Sequence, residues 1–211
     1  MALDSTYKQL PEELSERVRW LNEHSIGEGP VVYWFHRCLR LEENPALDTA
    51  LHLAATLNRP LALVAELSTQ RDPYASIRHW TFELEGLLEL RAQLSEQHIP
   101  LDIYVESDDR PGSRYRAIAE QAGILVAEDL PVASERAFRA KLAEVVKVPF
   151  LVVDATCVIP MNHSKKPIRR AFAFRDRYKD IIEAASRSSE PPSREWPDIT
   201  FSSLAIDGVL K

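Results

Sequence analysis

The sequence predicts an α/β fold, and three observations carry this prediction. Short apolar segments alternate with amphipathic segments along most of the 211 residues. The apolar segments, of which 31–35 (VVYWF) comes first, lack polar alternation, as is typical of strands buried on both faces of a parallel sheet. Prolines and capping residues such as Asn44 mark where elements begin. Together they indicate a doubly wound, mostly parallel five-stranded sheet of Rossmann-like architecture.

The elements follow in a regular order. Strands are predicted at 31–35, 61–67, 101–105, 124–128 and 150–153. Helices are predicted at 11–24, 45–58, 76–97, 113–122, 134–147 and 168–186. The first helix is favoured by Pro11 in its first turn and by Leu14, Val18 and Leu21 on one face. The segment TCVIP at 156–160 could extend the edge of the sheet.

This order divides the chain into four parts. We expect an N-terminal helical extension at 1–28, the α/β domain at 29–160, a basic helical segment at 161–187 and a tail at 188–211. The tail is rich in serine, proline and acidic residues, which is typical of a linker or an ordered lid.

Composition excludes several classes of protein. A net charge of -6 argues against a chain that coats nucleic acid. No apolar run approaches the roughly 20 residues that span a bilayer, and the polar N-terminus is unlike a signal peptide. Cys38 and Cys157 are far apart and lack metal-ligand spacing, which indicates a reducing compartment and no zinc site. We therefore expect a cytoplasmic protein without membrane contact.

Catalytic patterns are missing from the sequence. It shows no nucleophile-base set, no paired carboxylates and no metal cluster, so neither catalytic residues nor metal ligands are predicted. No glycine-rich phosphate cradle follows the first strand, and this argues against a dinucleotide-binding enzyme.

The loop after the first strand is the sharpest local feature. It carries His36, Arg37 and Arg40 at the carboxyl end of a buried strand, where sheets of this kind bind ligands. Arginines there could bind an anion, or they could pair with Glu42 or Glu43 in a solvated loop. Both interpretations stay open.

Other candidates lie at the same edge or beyond it. Glu66, at the end of the second strand, could contact a ligand or pair with an arginine of the loop. Asp154 could accept a hydrogen bond from a ligand or cap the turn that follows it. His79, near the start of the long helix, could face a ligand. The basic stretch 165–179 could contact a phosphate backbone or an acidic protein, or form a solvated helix face.

Four stretches carry a family resemblance. VVYWFHRCLRLEENPALDTAL resembles the first strand, loop and helix of the DNA photolyase and cryptochrome family, and its matching residues are Arg37, Arg40, Glu43, Asn44, Ala46 and Leu47. DPYASIRHWTFELEGLLELRAQLSEQHIPL, VPFLVVDATCVIP and KPIRRAFAFRDRYKDI resemble the class II photolyase branch. The matches run in register over roughly residues 29–182.

The resemblance implies the N-terminal α/β domain of that family. Such a domain can hold an antenna chromophore, a deazaflavin, folate or flavin, while catalytic FAD lies in a helical domain that we expect to be separate from this chain. The ligand neighbours that it implies are Phe35, His36, Arg37, Arg40, Glu43, Asn44, Glu66 and Asp154. His36 and Cys38 depart from the residues common in relatives, so the pocket could be altered or hold no chromophore.

Three hypotheses follow from the sequence. The chain could be a light-harvesting or accessory module that acts with a FAD-binding helical domain or protein, without lesion repair by itself. It could instead be a chromophore-free module that binds protein, or binds DNA weakly through 165–179. A small nucleotide-binding enzyme is the third and least supported.

Overall fold

The computed structural model describes residues 8–68, 74–106, 114–164, 168–186 and 194–210. Its strands are β1 (Val18–Trp20), β2 (Val31–Phe35), β3 (Leu61–Leu67), β4 (Leu101–Val105), β5 (Ile124–Glu128) and β6 (Phe150–Val153). Its helices are α1 (Glu12–Ser15), α2 (Pro45–Leu57), α3 (Ile77–Glu96), α4 (Tyr115–Gln121), α5 (Ala133–Val145) and α6 (Ala171–Ser186). A short 3-10 helix, Met161–His163, precedes α6. The predicted α/β fold is confirmed, with one more strand than expected.

The strand order is β1-β6-β5-β2-β3-β4. Strands β2 to β6 are parallel to one another, and β1 pairs antiparallel with β6. After the edge strand β1, the parallel part of the sheet starts at β2 in its centre, continues outward through β3 and β4, and returns to the other side of β2 for β5 and β6. The order therefore reverses between β2 and β5, and the carboxyl ends of these two strands flank the position where such sheets bind ligands.

Helices cover both faces of the sheet. In β2, Tyr33 and Phe35 pack with α2 and α3, whereas Trp34 packs on the other face with α4 and α5. All five residues of β2 are buried. This two-sided burial explains why the strand reads as an unbroken apolar run.

The predicted helix at 11–24 was wrong. Only α1 is helical, and the chain then extends as β1 along the outer edge of β6. The ladder continues at both ends, where Leu21 N donates to Phe150 O at 2.8 Å and Asp154 N donates to Arg17 O at 3.0 Å. The unpaired groups of the β6 edge thus override a local helical pattern. Because β1 takes this edge, the segment 156–160 adds no strand there.

The C-terminal tail is packed against the sheet over the residues described, 194–210. Phe201 bridges to Leu61 at the start of β3, and Leu210 N donates to Ile103 O of the outermost strand at 2.7 Å. Asp102 of β4 accepts the N–H of Leu204 at 2.8 Å. The open edge of β4 supplies hydrogen-bond partners that a linker-like composition does not reveal.

In the part of the chain that the structure describes, no helix has both the length and the apolar character needed to cross a bilayer.

Candidate ligand-binding site

The reversal point of the sheet is organised by one buried carboxylate, that of Glu128 at the end of β5. It accepts the main-chain N–H groups of His36 at 3.1 Å, Arg37 at 2.8 Å and Cys38 at 2.9 Å. The hydroxyl of Tyr33 donates to it at 3.1 Å. Consecutive amides that converge on one oxygen pair form an anion-binding concavity. Here the anion is part of the protein, so the loop after β2 is fixed before any ligand arrives.

Burial and this carboxylate also set the ionisation of their neighbours. Burial, followed by the charge of Glu128, raises the pKa of Tyr33 well above its usual value of 10. The same two causes, in the same order, raise the pKa of the Cys38 thiol to about 11. Both groups therefore stay protonated at neutral pH, and Cys38 lacks the thiolate character of a reactive cysteine.

The side chain of His36 points to a second carboxylate, on α5. Its Nε2 lies 3.1 Å from Oε2 of Glu135, and Nη1 of Arg139 donates to the same oxygen at 2.8 Å. The hydrogen bond from His36 is the largest cause that lowers the pKa of Glu135 to about 2, while burial opposes it and Arg139 adds to it. Since His36 is only 6% exposed, this contact fixes its ring beside the loop.

A pocket of about 490 Å³ opens between the loop after β2 and the first turns of α3. It is lined by His36, Arg37, Leu39, Ser76, Arg78, His79, Phe82 and Glu83. The Arg37 side chain is half-exposed, and its Nη1 lies 3.4 Å from Glu83 Oε2 across the opening. A small recess shares this lining and adds Glu66, Ser68, Ala75 and Trp80.

The start of α3 is arranged by a histidine. Nδ1 of His79 accepts the main-chain N–H of Ser76 at 3.1 Å, which satisfies one donor before the first turn. In the neutral imidazole the proton then lies on Nε2, so that this atom is a hydrogen-bond donor. Phe82, one turn further along the helix, is 79% exposed. The pocket thus combines cationic groups, a hydrogen-bond donor and an exposed aromatic ring.

This arrangement suits a planar, anionic molecule. Arg37 and Arg78 can pair with phosphate or carboxylate, and the face of Phe82 can stack on an aromatic ring. Among the residues that the structure describes, no group of three potential metal ligands comes together.

A model of the DNA photolyase family matches residues 31–197. This chain belongs to the DNA photolyase family. A deoxyribodipyrimidine photo-lyase of Methanothermobacter thermautotrophicus is 31% identical over 150 residues, which cover 70% of this chain and 33% of the relative. One from Arabidopsis thaliana is 32% identical over 198 residues, covering 87% and 39% respectively.

Structural comparison agrees with the fold of the photolyase family. The structure of a bacterial class III photolyase from Agrobacterium tumefaciens superposes with a TM-score of 0.54 at 19% identity. The match covers 86% of this chain and 36% of that structure. This chain therefore spans little more than a third of the length of the relatives that it matches.

Against this family background, three of the predicted ligand neighbours line the pocket or its recess. They are His36, Arg37 and Glu66. Glu66 is buried and accepts the main-chain N–H of Arg114. Their contact with a ligand stays a prediction.

The other predicted neighbours lie beneath or behind the loop. Phe35 is buried in the core, with its ring 4.3 Å from that of Tyr33. Arg40 donates to the carbonyl oxygens of Glu43 at 2.9 Å and Ala155 at 2.8 Å. Glu43 has a positive φ of 47°, and Asn44 accepts the N–H groups of the first turn of α2 as its N-cap. These family-matching residues shape the loop and lie outside the lining of the pocket.

Asp154 takes the capping role that the sequence left as one of two interpretations. Its carboxylate accepts the main-chain N–H of Thr156 at 3.3 Å, Cys157 at 3.0 Å and Met161 at 2.9 Å. The loop after β6 is therefore folded around this side chain.

The sequence interpretation missed Glu128 and most of the wall contributed by α3, including Arg78 and Phe82. Glu128 ends a predicted strand at the same edge as Glu66 and Asp154, and this position was the available signal. The α3 residues lie within the resemblance stretch that begins DPYAS, but nothing local in the sequence indicates that they face the loop after β2.

Proposed function

We propose that this chain is a chromophore-binding α/β module of a photolyase system. It holds a planar antenna pigment, a deazaflavin, folate or flavin, in the pocket between the loop after β2 and α3. The single observation that carries this proposal is a pocket of about 490 Å³ with cationic and aromatic lining at the carboxyl edge of the sheet. Its volume lies within the ~300–1,000 Å³ of small-molecule sites.

The pocket residues divide the binding between two parts of a pigment. Phe82 offers a face for the ring system, in an offset or edge arrangement. Arg37, Arg78 and His79 attract a phosphate or carboxylate substituent. Glu83 holds the Arg37 side chain at the opening, so that its guanidinium is positioned near the ligand.

The bound pigment would absorb light and pass its excitation to the flavin of a catalytic domain. We propose that this domain, in the same polypeptide or in a partner, supplies the repair chemistry. The residues of this chain bind and orient the pigment, and the closed loop around Glu128 keeps its site rigid. Rigidity suits energy transfer, because the rate depends on the distance and orientation between the two pigments.

Absorbance tests the proposal directly. Protein purified from its own host should show a near-ultraviolet or blue band beyond the tryptophan peak. Titration with FMN, methenyltetrahydrofolate and 8-hydroxy-5-deazaflavin, followed by fluorescence anisotropy, should then identify which one binds.

A matched pair of variants locates the site. Arg37→Ala should weaken binding of that pigment about tenfold, as expected for loss of a charge-assisted hydrogen bond. Arg116→Ala, on α4 and outside the pocket lining, removes the same charge and should leave the affinity unchanged. No binding of any of the three pigments, or equal loss in both variants, would refute the proposal.

Repair is tested separately. A thymine-dimer oligonucleotide illuminated with this chain alone should keep its dimer, as measured by chromatography of the digested strand. Repair by the isolated chain would contradict the assignment of this chemistry to another domain.

A further inference from the structure

A groove lies away from the pigment pocket and its recess, between α6 and the loop after β6. It is an apolar groove of about 670 Å³. Its α6 wall includes Phe174, Tyr178 and Ile182, and its opposite wall includes Val158 and Met161. Val158 is 61% exposed and Phe174 is 42% exposed, so large apolar surfaces on both walls face outward.

The loop wall of the groove is held in place. Besides the three amides bonded to Asp154, the Arg17 guanidinium donates to the carbonyl oxygens of Cys157 at 2.7 Å and Val158 at 3.2 Å. His163 lies 2.8 Å from Glu16 across the same wall. On the α6 side, Tyr178 is only 4% exposed and packs against Phe174 with ring centroids 4.9 Å apart. The groove is therefore a formed surface feature.

Charge is segregated around the groove. Helical periodicity places Arg177 on one side of the α6 face that carries Phe174 and Tyr178, and Arg175 on the other. The acidic residues of α6 lie on its opposite face, and they are Asp176, Asp180 and Glu183. The apolar floor is thus bordered on both sides by arginines.

One end of the groove is polar and carries charges of both signs. It adjoins a polar pocket of about 350 Å³ to which Arg17 and Arg40 contribute. Glu43 and Asp48 line this pocket too, and Asp48 is paired with Arg194. Arginines therefore lie on both sides of the first half of α6, and Arg17 and Arg40 lie with two carboxylates at this end.

We propose that this groove docks an acidic amphipathic helix of a protein partner. Apolar side chains on one face of that helix fill the floor, as in other helix-in-groove complexes. Carboxylates beside that face pair with Arg175 and Arg177. The aromatic and aliphatic floor favours a protein segment over nucleic acid, because a phosphate backbone would contact the arginines and leave the floor uncovered.

The test uses two designed peptides and the full chain. Both peptides are amphipathic helices of about four turns with the same leucine face, and they carry either glutamate or lysine at the flanking positions. Fluorescence anisotropy should show that the glutamate peptide binds at least tenfold more tightly than the lysine peptide.

Variants of the chain then locate the contact. The double variant Arg175→Glu, Arg177→Glu should bind the glutamate peptide about tenfold more weakly and the lysine peptide more tightly. Val158→Ser should weaken the binding of both peptides, because it removes apolar surface from the floor that both contact. Lys141→Glu with Lys147→Glu changes the same net charge on and just after α5 and should alter neither affinity. Circular dichroism confirms that each variant is folded.

Several outcomes would overturn the proposal. These are equal affinity for the two peptides, no binding up to about 1 mM, and affinities unchanged by the α6 charge reversal. A DNA duplex of about 20 base pairs is the third ligand. If it binds more tightly than either peptide, loses its binding on charge reversal and is unaffected by Val158→Ser, the surface is one for nucleic acid. Self-association in light scattering that Val158→Ser abolishes would make a second copy of this chain the occupant.

Discussion

Two buried carboxylates, Glu128 and Asp154, each organise a loop by accepting three main-chain N–H groups. Asp154 bonds to its own downstream chain, two, three and seven residues away. Glu128 bonds across the sheet to amides 90 to 92 residues away. The first builds one wall of the apolar groove, and the second fixes the loop that lines the proposed pigment pocket.

The difference lies in what each carboxylate connects. Asp154 makes a local turn at the margin of the sheet. Glu128 joins β5 to the exit of β2 at the reversal point, where a gap between diverging chains would otherwise remain. It also accepts from the buried Tyr33 hydroxyl, so four donors converge on a single side chain. We therefore expect Glu128 to matter more for stability, although each site has three amide bonds.

The largest effect should come from Glu128→Ala. This change leaves three amides and the Tyr33 hydroxyl without their acceptor inside the protein, and we expect a loss of about 3–5 kcal/mol in the free energy of unfolding. Urea unfolding followed by tryptophan fluorescence measures it. Glu128→Gln keeps the size and one acceptor oxygen, and it should lose about half as much. A loss below about 1 kcal/mol for Glu128→Ala would mean that the loop finds other acceptors.

The contrast also explains what the sequence could reveal. The β2–β6 strands were predicted with the bounds observed because each is an apolar run buried on both faces. The cap of α2 by Asn44 and the turn after Asp154 depend on neighbours a few residues away, and both were among the interpretations considered. The role of Glu128 depends on the neighbouring strand β2, and no local sequence pattern indicates which loop an acidic residue at the end of a strand will contact.

The same reasoning applies at the two ends of the chain, to the wrong helix at 11–24 and to the tail. Val18 fits a helical stripe with Leu14 and Leu21, but the free edge of β6 makes it part of a strand. The composition of the tail allows a linker or an ordered lid, and 194–210 pack against the amino end of β3 and the edge of β4. In both places the deciding partner is a sheet edge that exists only after the domain has folded.

A smaller loss is expected for Asp154→Ala. Three amides lose their acceptor close to the surface, where water can replace part of the bonding, so we expect about 2–3 kcal/mol. Asp154→Asn keeps one oxygen for the turn at Thr156 and Cys157 and should lose about 1 kcal/mol. Urea unfolding of the Glu128 and Asp154 variants gives the order of their losses in the free energy of unfolding, and this order tests the comparison. Equal losses for Asp154→Ala and Glu128→Ala would show that the reach of the bonds along the chain does not matter.

A third carboxylate, Glu135, holds the side chain of His36, whose main chain bonds to Glu128. Its pKa in the folded protein is about 2, below the usual 4.5, so the folded state binds fewer protons than the unfolded state between these values. The contribution of Glu135 is therefore complete above pH 4.5 and is lost as pH falls toward 2. Because the site is only partly shielded, we expect a loss of about 1–2 kcal/mol across this range.

The measurement compares urea unfolding of the wild type and Glu135→Gln from pH 6 to pH 2. The difference in the free energy of unfolding between the two proteins should be largest at pH 6 and should shrink toward pH 2. A difference that stays constant with pH would show that the charge of Glu135 contributes nothing to the position of His36.

The smallest effect on stability should come from Arg37→Ala. The Arg37 amide bonds to Glu128, and every residue type retains that amide except proline. The guanidinium is half-exposed and lies 3.4 Å from Glu83, so its removal should cost less than about 0.5 kcal/mol. Urea midpoints at low and high salt measure this cost and its screening. Because the main chain holds the loop, the Arg37 side chain can be used for binding. We therefore expect Arg37→Ala to lower the affinity for the pigment without loss of stability. A loss above about 1.5 kcal/mol would instead show that the loop needs its side chains to fold.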